Sequence, residues 1–177
     1  AHVKQVDDAR AAEQAAAINV RALSVIAVAS QNIGALVVHY STDYVFDGSK
    51  HGPYKEDDEP NPLSVYGQTK LAGEQALIGS GAAYLILRTS WVVGAHGGNF
   101  AKTILRLAAE RESLNVVSDQ IGAPTSAALF ADVTAQLLGR YLGDGAERFP
   151  RGLYHLAAGG ETHWQAYAKH VVLRAWD

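Results

Sequence analysis

Two short apolar runs, each ending in hydroxyl side chains, restrict this chain more than any other feature. The first is Leu36-Val37-Val38-His39-Tyr40, followed by Ser41-Thr42; the second is Tyr84-Leu85-Ile86-Leu87, followed by Arg88-Thr89-Ser90. Runs this short, apolar without alternation and bounded by turn residues, read as strands buried in a parallel sheet. Parallel neighbours need a crossover of a dozen residues or more, usually a helix, and a helical segment does lie between them. Strand and helix alternate along the rest of the chain. The fold class is therefore α/β, with a doubly wound parallel sheet joined by right-handed crossovers.

Capping signals set the element boundaries. Asp7 or Asp8 caps a long alanine-rich helix from Ala9 to about Ile33, closed by Gly34. A loop from Thr42 to Asn61 holds Gly48, Gly52, Pro53 and Pro60, and a loop of that length is usually functional. Within it, Glu56-Asp57-Asp58-Glu59 reads as a solvated acidic face. The next helix runs from about Pro62, with proline near the first helical position, to Ile78. Asn99 caps a helix from Phe100 to Arg111, Leu114–Val117 reads as a short strand, and Ser126 caps a helix to about Leu142. A strand over 152–157 precedes a last helix, His163 to Trp176, with Thr162 as its cap. Gly94-Ala95-His96-Gly97-Gly98 contains glycines but lacks the G-x-G-x-x-G spacing of a dinucleotide turn.

Composition closes several alternatives. A net charge of -3 gives no basic footprint for nucleic acid or an anionic membrane. No unbroken run of 18 apolar residues is present, so neither a membrane partner nor a span is read. The absence of cysteine excludes disulfides and thiolate metal sites and fits a cytoplasmic protein. The seven histidines have no zinc-ligand spacing, so no metal ligand is assigned.

The chemistry gathers at Tyr66 and Lys70. Four apart on a helix, they project from one face. A nearby ammonium favours phenolate and lowers the tyrosine pKa from its usual value of about 10, so the phenol can exchange a proton with a substrate oxygen near neutral pH. Ser41 and Thr42 end the first strand, the edge at which open α/β sheets place their ligands.

Strand, Ser-Thr, loop, then a Tyr…Lys helix is an order that resembles the short-chain dehydrogenase/reductase family. The stretches Ser41-Thr42-Asp43-Tyr44-Val45-Phe46-Asp47-Gly48 and Pro62-Leu63-Ser64-Val65-Tyr66-Gly67-Gln68-Thr69-Lys70-Leu71-Ala72-Gly73-Glu74 resemble its extended, dTDP-4-dehydrorhamnose reductase branch. So do Arg88-Thr89-Ser90-Trp91, Asn99-Phe100-Ala101-Lys102 and Asp119-Gln120-Ile121-Gly122-Ala123-Pro124-Thr125. The resemblance implies a Rossmann-type fold incomplete at both ends. Residues 1–125 would be part of the dinucleotide-binding domain and 126–177 the transition into a smaller substrate-binding lobe.

The same resemblance implies an enzyme that reduces the 4-keto group of a nucleotide-linked deoxysugar with NADPH or NADH. Tyr66, Lys70 and Thr42 would be catalytic. Ala1, His2 and Val3, the last standing where the family carries threonine, would close over the cofactor with Tyr66 and Lys70. Thr42, Asp43, Tyr44, Trp91, Asn99, Lys102 and Gln120 would bind the nucleotide sugar, Trp91 packing on the sugar face. Asn19, mid-helix, would support the active-site strand. A homodimer, with Mg2+ at its interface, rests on resemblance alone. Two other readings stay open: an epimerase or dehydratase of the same fold, and a non-catalytic regulatory subunit similar to that of methionine adenosyltransferase.

Overall fold

The computed structural model describes residues 9–144 and 148–175. Its centre is a parallel three-stranded sheet in the order β1–β2–β6, formed by Leu36–Thr42, Ala83–Thr89 and Gly152–His155. Leu36 pairs with Ala83 and Thr42 with Thr89, so both hydroxyl-ended strands stop at the same edge. Leu85, Ile86 and Leu87 are buried almost completely, as an unalternating apolar run in a parallel sheet requires.

Two helical segments pack on this sheet. The first comprises α1 (Ala9–Ala16), a π-helical stretch (Ala17–Ala22) and α2 (Leu23–Ile33), which ends at Gly34 in the left-handed region. The second is α3 (Val65–Gly79). Leu23 and Ala27 of α2 meet Leu77 of α3, Val37 of β1 and Ile86 of β2 in one buried cluster. Burying a side chain such as Leu77 or Ile86 stabilises the fold by about 1.5–3 kcal/mol each. The helical run Arg10–Ile33 is long and apolar enough, by length and composition alone, to cross a membrane. Asn19, Arg21 and Gln31 interrupt its apolar sequence. Here its Leu23–Ala27–Ser30 face is buried.

These elements, residues 9–89 and 148–156, form one compact unit; residues 90–144 and 157–175 form a second. The units interleave along the chain, because β6 follows residue 125 in sequence and pairs with β2 (Arg88 beside His155). The second unit holds α4 (Phe100–Glu110), α5 (Ala127–Asp144), α6 (Trp164–Ala175) and four two-residue strands. Of these, β3 (Val92–Val93) pairs parallel to β5 (Thr125–Ser126), and β4 (Ile121–Gly122) antiparallel to β7 (Thr162–His163).

Three boundaries differ from expectation. Helix α3 starts at Val65 because the Ser64 side chain caps it, accepting from Gly67 N; Pro62 stays outside. His163, not Thr162, caps α6, its Nδ1 accepting from Ala166 N at 3.2 Å. Residues 114–117 form no strand, although Val117 O accepts from Gln165 N.

Candidate active site

The C-terminal end of β1 runs directly into a single 3₁₀ turn, Asp43–Val45, capped by the residue that ends the strand. The Thr42 hydroxyl accepts from Tyr44 N at 3.2 Å and donates to Asp43 Oδ1 at 3.1 Å. Helix α3 approaches this turn so closely that a Cβ on Gly67 would collide with the Tyr44 carbonyl oxygen. That approach sets Tyr44 edge-on to Tyr66, ring centroids 6.0 Å apart. Glycine at 67 therefore places the phenol against the strand end.

Tyr66 is half-buried. Burial pushes its pKa up, and so does the charge of Asp43, while hydrogen bonding with the Thr42 hydroxyl pulls it down. The expectation that Lys70 lowers the Tyr66 pKa is corrected here, because the ammonium is directed elsewhere. Lys70 Nζ donates to the carbonyl oxygen of Tyr40 at 2.6 Å and lies 3.1 Å from His39 Nε2. Thr42, rather than Lys70, is the group that eases ionisation of the phenol. Burial also lowers the Lys70 pKa, against the nearby charge of Glu74. Asp43 is raised to about 6 by burial, against its hydrogen bond with Thr42.

Below this pair lies a buried ion pair. Glu74, fully inaccessible, takes two N–H groups of Arg88, with Arg88 Nη2 2.6 Å from Oε2 and Nε 3.0 Å from Oε1. Arg88 also stacks on Phe46, its guanidinium carbon 5.1 Å from the ring centroid. Asn19 supports α3 rather than the strand the resemblance implied: its Nδ2 donates to the Thr69 hydroxyl at 3.0 Å, one turn along from Tyr66. Asn19 lies within the π-helical stretch, and π-bulges inside α-helices occur often at functional sites.

The loop after the site is held by its own side chains. Asp47 accepts from Ser49 N, the Tyr54 hydroxyl and Asn61 Nδ2. Glu56 of the acidic run accepts from His155 N at 2.8 Å, and Asp58 takes Lys50 and Lys55 N. The run is thus partly a structural clasp onto β6. Among the described residues no group of three or more His, Asp or Glu is placed to hold a metal ion, so the Mg2+ expectation acquires no ligand set.

The remaining expected residues lie in the second unit. Trp91 stacks on Trp164 with centroids 3.6 Å apart, and its backbone takes the left-handed region (φ 45°), rare for a bulky residue. A Cβ on Gly122 would fall 2.6 Å from Trp91 Cε2. Trp164 and Gly122 therefore both lie against the Trp91 ring. Asn99 caps α4, its side chain accepting from Lys102 N, and donates to Gly94 O. Lys102 Nζ donates to Ala95 O and Gly97 O, bracing the glycine loop. Gln120 is exposed, immediately before β4. Ala1, His2 and Val3 lie outside the described residues. Sequence reasoning passed over His39, Glu74, Arg88 and Trp164; the signal for the first was an imidazole inside an otherwise apolar strand.

The profile of the RmlD substrate binding domain matches residues 1–176. The chain belongs to that family. It is 53% identical over 154 residues to the dTDP-4-dehydrorhamnose reductase of Shigella flexneri, covering 87% of this chain and 50% of the relative. The corresponding protein of Escherichia coli K12 is 52% identical over 159 residues, covering 90% of this chain and 52% of that one. Among solved structures, the dTDP-4-dehydrorhamnose reductase of Bacillus anthracis in complex with NADP superposes with a TM-score of 0.85 at 38% identity, over 99% of this chain and 60% of that one. A Clostridium acetobutylicum ortholog gives 0.87 at 34%, over 99% of this chain and 60% of its own. The fold is therefore of the extended Rossmann type. This member of the RmlD family spans about half the length of the curated relatives it matches.

Proposed function

We propose that the protein to which this chain belongs is a dTDP-4-dehydrorhamnose reductase, reducing the 4-keto group of a nucleotide-linked deoxysugar at the expense of NADPH or NADH. The observation that carries the reading is the gathering of Thr42, Asp43, Tyr44, Tyr66 and Lys70 where β1 ends against α3. The residues present fit a nicotinamide cofactor: Ser41 Oγ and Thr89 Oγ1 are buried without a partner among the described residues at the strand ends, where α/β sheets bind such ligands. Lys70 has one N–H left after the two directed at β1. When bound, the reduced nicotinamide supplies the hydride.

In this reading Tyr66 gives its proton to the carbonyl oxygen as negative charge develops on it. Thr42 holds the phenol and eases its ionisation. Lys70, held against β1, would hydrogen-bond the cofactor ribose, and residues 1–3 would also serve the cofactor. Asp43 and Tyr44 would border the sugar, and Trp91 would be a sugar-binding ring. Asn99 and Gln120 would serve the nucleotide end, as would Lys102 on release from the glycine loop. Tyr44 stands where many dehydratases carry glutamate, which favours plain reduction.

A homodimer belongs to the same proposal, supported by the exposed apolar residues Ile18, Val25, Val28 and Ile33 of the first helical segment. A cytoplasmic location fits the cysteine-free composition and a substrate and cofactor drawn from solution. The test is NADPH consumption by the full-length protein with dTDP-4-dehydrorhamnose. One cofactor oxidised per sugar reduced is expected, with Tyr66→Phe losing activity by orders of magnitude while remaining folded. Product formation without net cofactor consumption would instead make it an epimerase or dehydratase.

A further inference from the structure

Strand β1 contributes more to the Tyr66–Lys70 pair than a surface to pack on. Lys70 is only 8% exposed although it carries a charge, and its ammonium must find acceptors inside the protein. Two come from adjacent residues of β1: the Tyr40 carbonyl oxygen at 2.6 Å and His39 Nε2 at 3.1 Å. We infer that His39 is a positioning residue for Lys70, its imidazole Nε2 accepting the second of the two hydrogen bonds that fix the ammonium to the strand. This rests on the reading of Tyr66 and Lys70 as the working pair.

The chemistry fixes the tautomer. An ammonium only donates, so Nε2 must offer its lone pair and the imidazole proton must sit on Nδ1. The imidazole must also remain neutral, and its surroundings enforce that. Burial and the Lys70 charge lower its pKa to about 4, against the opposing charge of Glu74. Lys70 and Glu74, both from α3, are the charged groups acting on it. Arg88 of β2 is engaged with Glu74, and Asp43 lies at the end of β1 itself.

A neutral acceptor suits this position better than a carboxylate would. It holds the ammonium in place without cancelling its charge. Two donors spent on the strand leave a single N–H, so the direction in which Lys70 can act is set by β1.

The full-length protein tests this by comparing His39→Leu, which removes the acceptor, with His39→Gln, whose amide oxygen reaches about as far as Nε2. Lys70 ionisation is read from its side-chain 13Cε resonance, and the pH profile of kcat for NADPH oxidation is measured beside it. In His39→Leu the Lys70 midpoint should fall by about one pH unit, the worth of one hydrogen bond to a charged group. The alkaline limb of kcat should move down with it, and His39→Gln should keep both near wild type. His39→Asn, too short to reach Nζ, makes the same comparison if the leucine variant does not fold. An unmoved Lys70 midpoint in the variants lacking the acceptor, whatever their melting temperature, would overturn the inference, as would failure of glutamine to restore it. If the wild-type protein consumes no NADPH, the reductase reading falls, while the Lys70 titration still decides the role of His39.

Discussion

The side-chain amide of Asn19 donates to the Thr69 hydroxyl across 3.0 Å, and that hydroxyl donates to the backbone carbonyl of Tyr66. A residue fifty positions earlier thus touches the turn of helix that carries the phenol. Asn19→Leu is expected to cost about 1 kcal/mol of stability, one net hydrogen bond, and to lower kcat by more than its effect on KM. Urea unfolding and steady-state kinetics on the full-length protein measure the two separately.

The same contact leaves no room at residue 73, where a Cβ would collide with the Asn19 carbonyl oxygen. Gly73→Ala should therefore destabilise by about 1–3 kcal/mol, as overpacking does, despite alanine's better helix propensity. A neutral or stabilising result in thermal denaturation would show that the two helices can separate without penalty.

Removing one partner of the Glu74–Arg88 pair leaves a charge buried alone. Glu74→Ala should cost about 3–5 kcal/mol, and Glu74→Gln less, since the amide oxygen can still accept. Equilibrium unfolding distinguishes these. Equal losses for both variants would mean that Arg88 finds water on its own.

Two buried groups oppose each other in their effect on pH stability. Asp43 is raised from 3.8 to about 6 in the folded protein, so its contribution is fully present below pH 3.8 and is lost as pH rises through 6. His39 is lowered from 6.5 to about 4, so its contribution is present above 6.5 and is lost as pH falls toward 4. Between pH 4 and 6 the two slopes have opposite signs. Asp43→Asn should accordingly lose stability more steeply than wild type on acidification, and His39→Gln less steeply. Melting temperatures of the three proteins across that window check the signs.

Thr42 eases the ionisation of Tyr66 and caps the turn at the same time. Thr42→Val, which keeps the shape and removes the hydroxyl, should raise the Tyr66 pKa further and reduce kcat by roughly 10²-fold, the scale of losing one hydrogen bond directed at the reacting group. Thr42→Ser should retain most of the activity. Similar losses in both would assign Thr42 to packing instead.

Much of this was legible in the residues, for identifiable reasons. Unalternating apolar runs ending in hydroxyls marked β1 and β2, and the Tyr66–Lys70 spacing marked the helix face. Gly34, Asn99 and Ser126 marked helix ends by local backbone chemistry that needs no tertiary context. The rest depends on what meets in space. That Lys70 would turn to His39 and the Tyr40 carbonyl, rather than to Tyr66, depends on where α3 lies on β1, which no local pattern states. Nothing local to Trp91 indicates that Trp164, 73 positions later, stacks on it. The start of α3 shifted because two caps competed, and the hydrogen-bonding serine prevailed over proline.

The register of β2 with β6 carries a consequence for the order of assembly. Arg88 stands beside Ser41 on one side and His155 on the other. The first pairing encloses one crossover helix and can close as soon as residue 89 is available. The second must wait until residue 155 has been synthesised, with a long intervening segment between. Loop closure over such a separation slows folding. On the ribosome β2 therefore emerges with one flank paired and the other bare, an unpaired edge of the kind that invites association with other chains. The clasp from Glu56 to His155 N then fastens the late strand where it arrives.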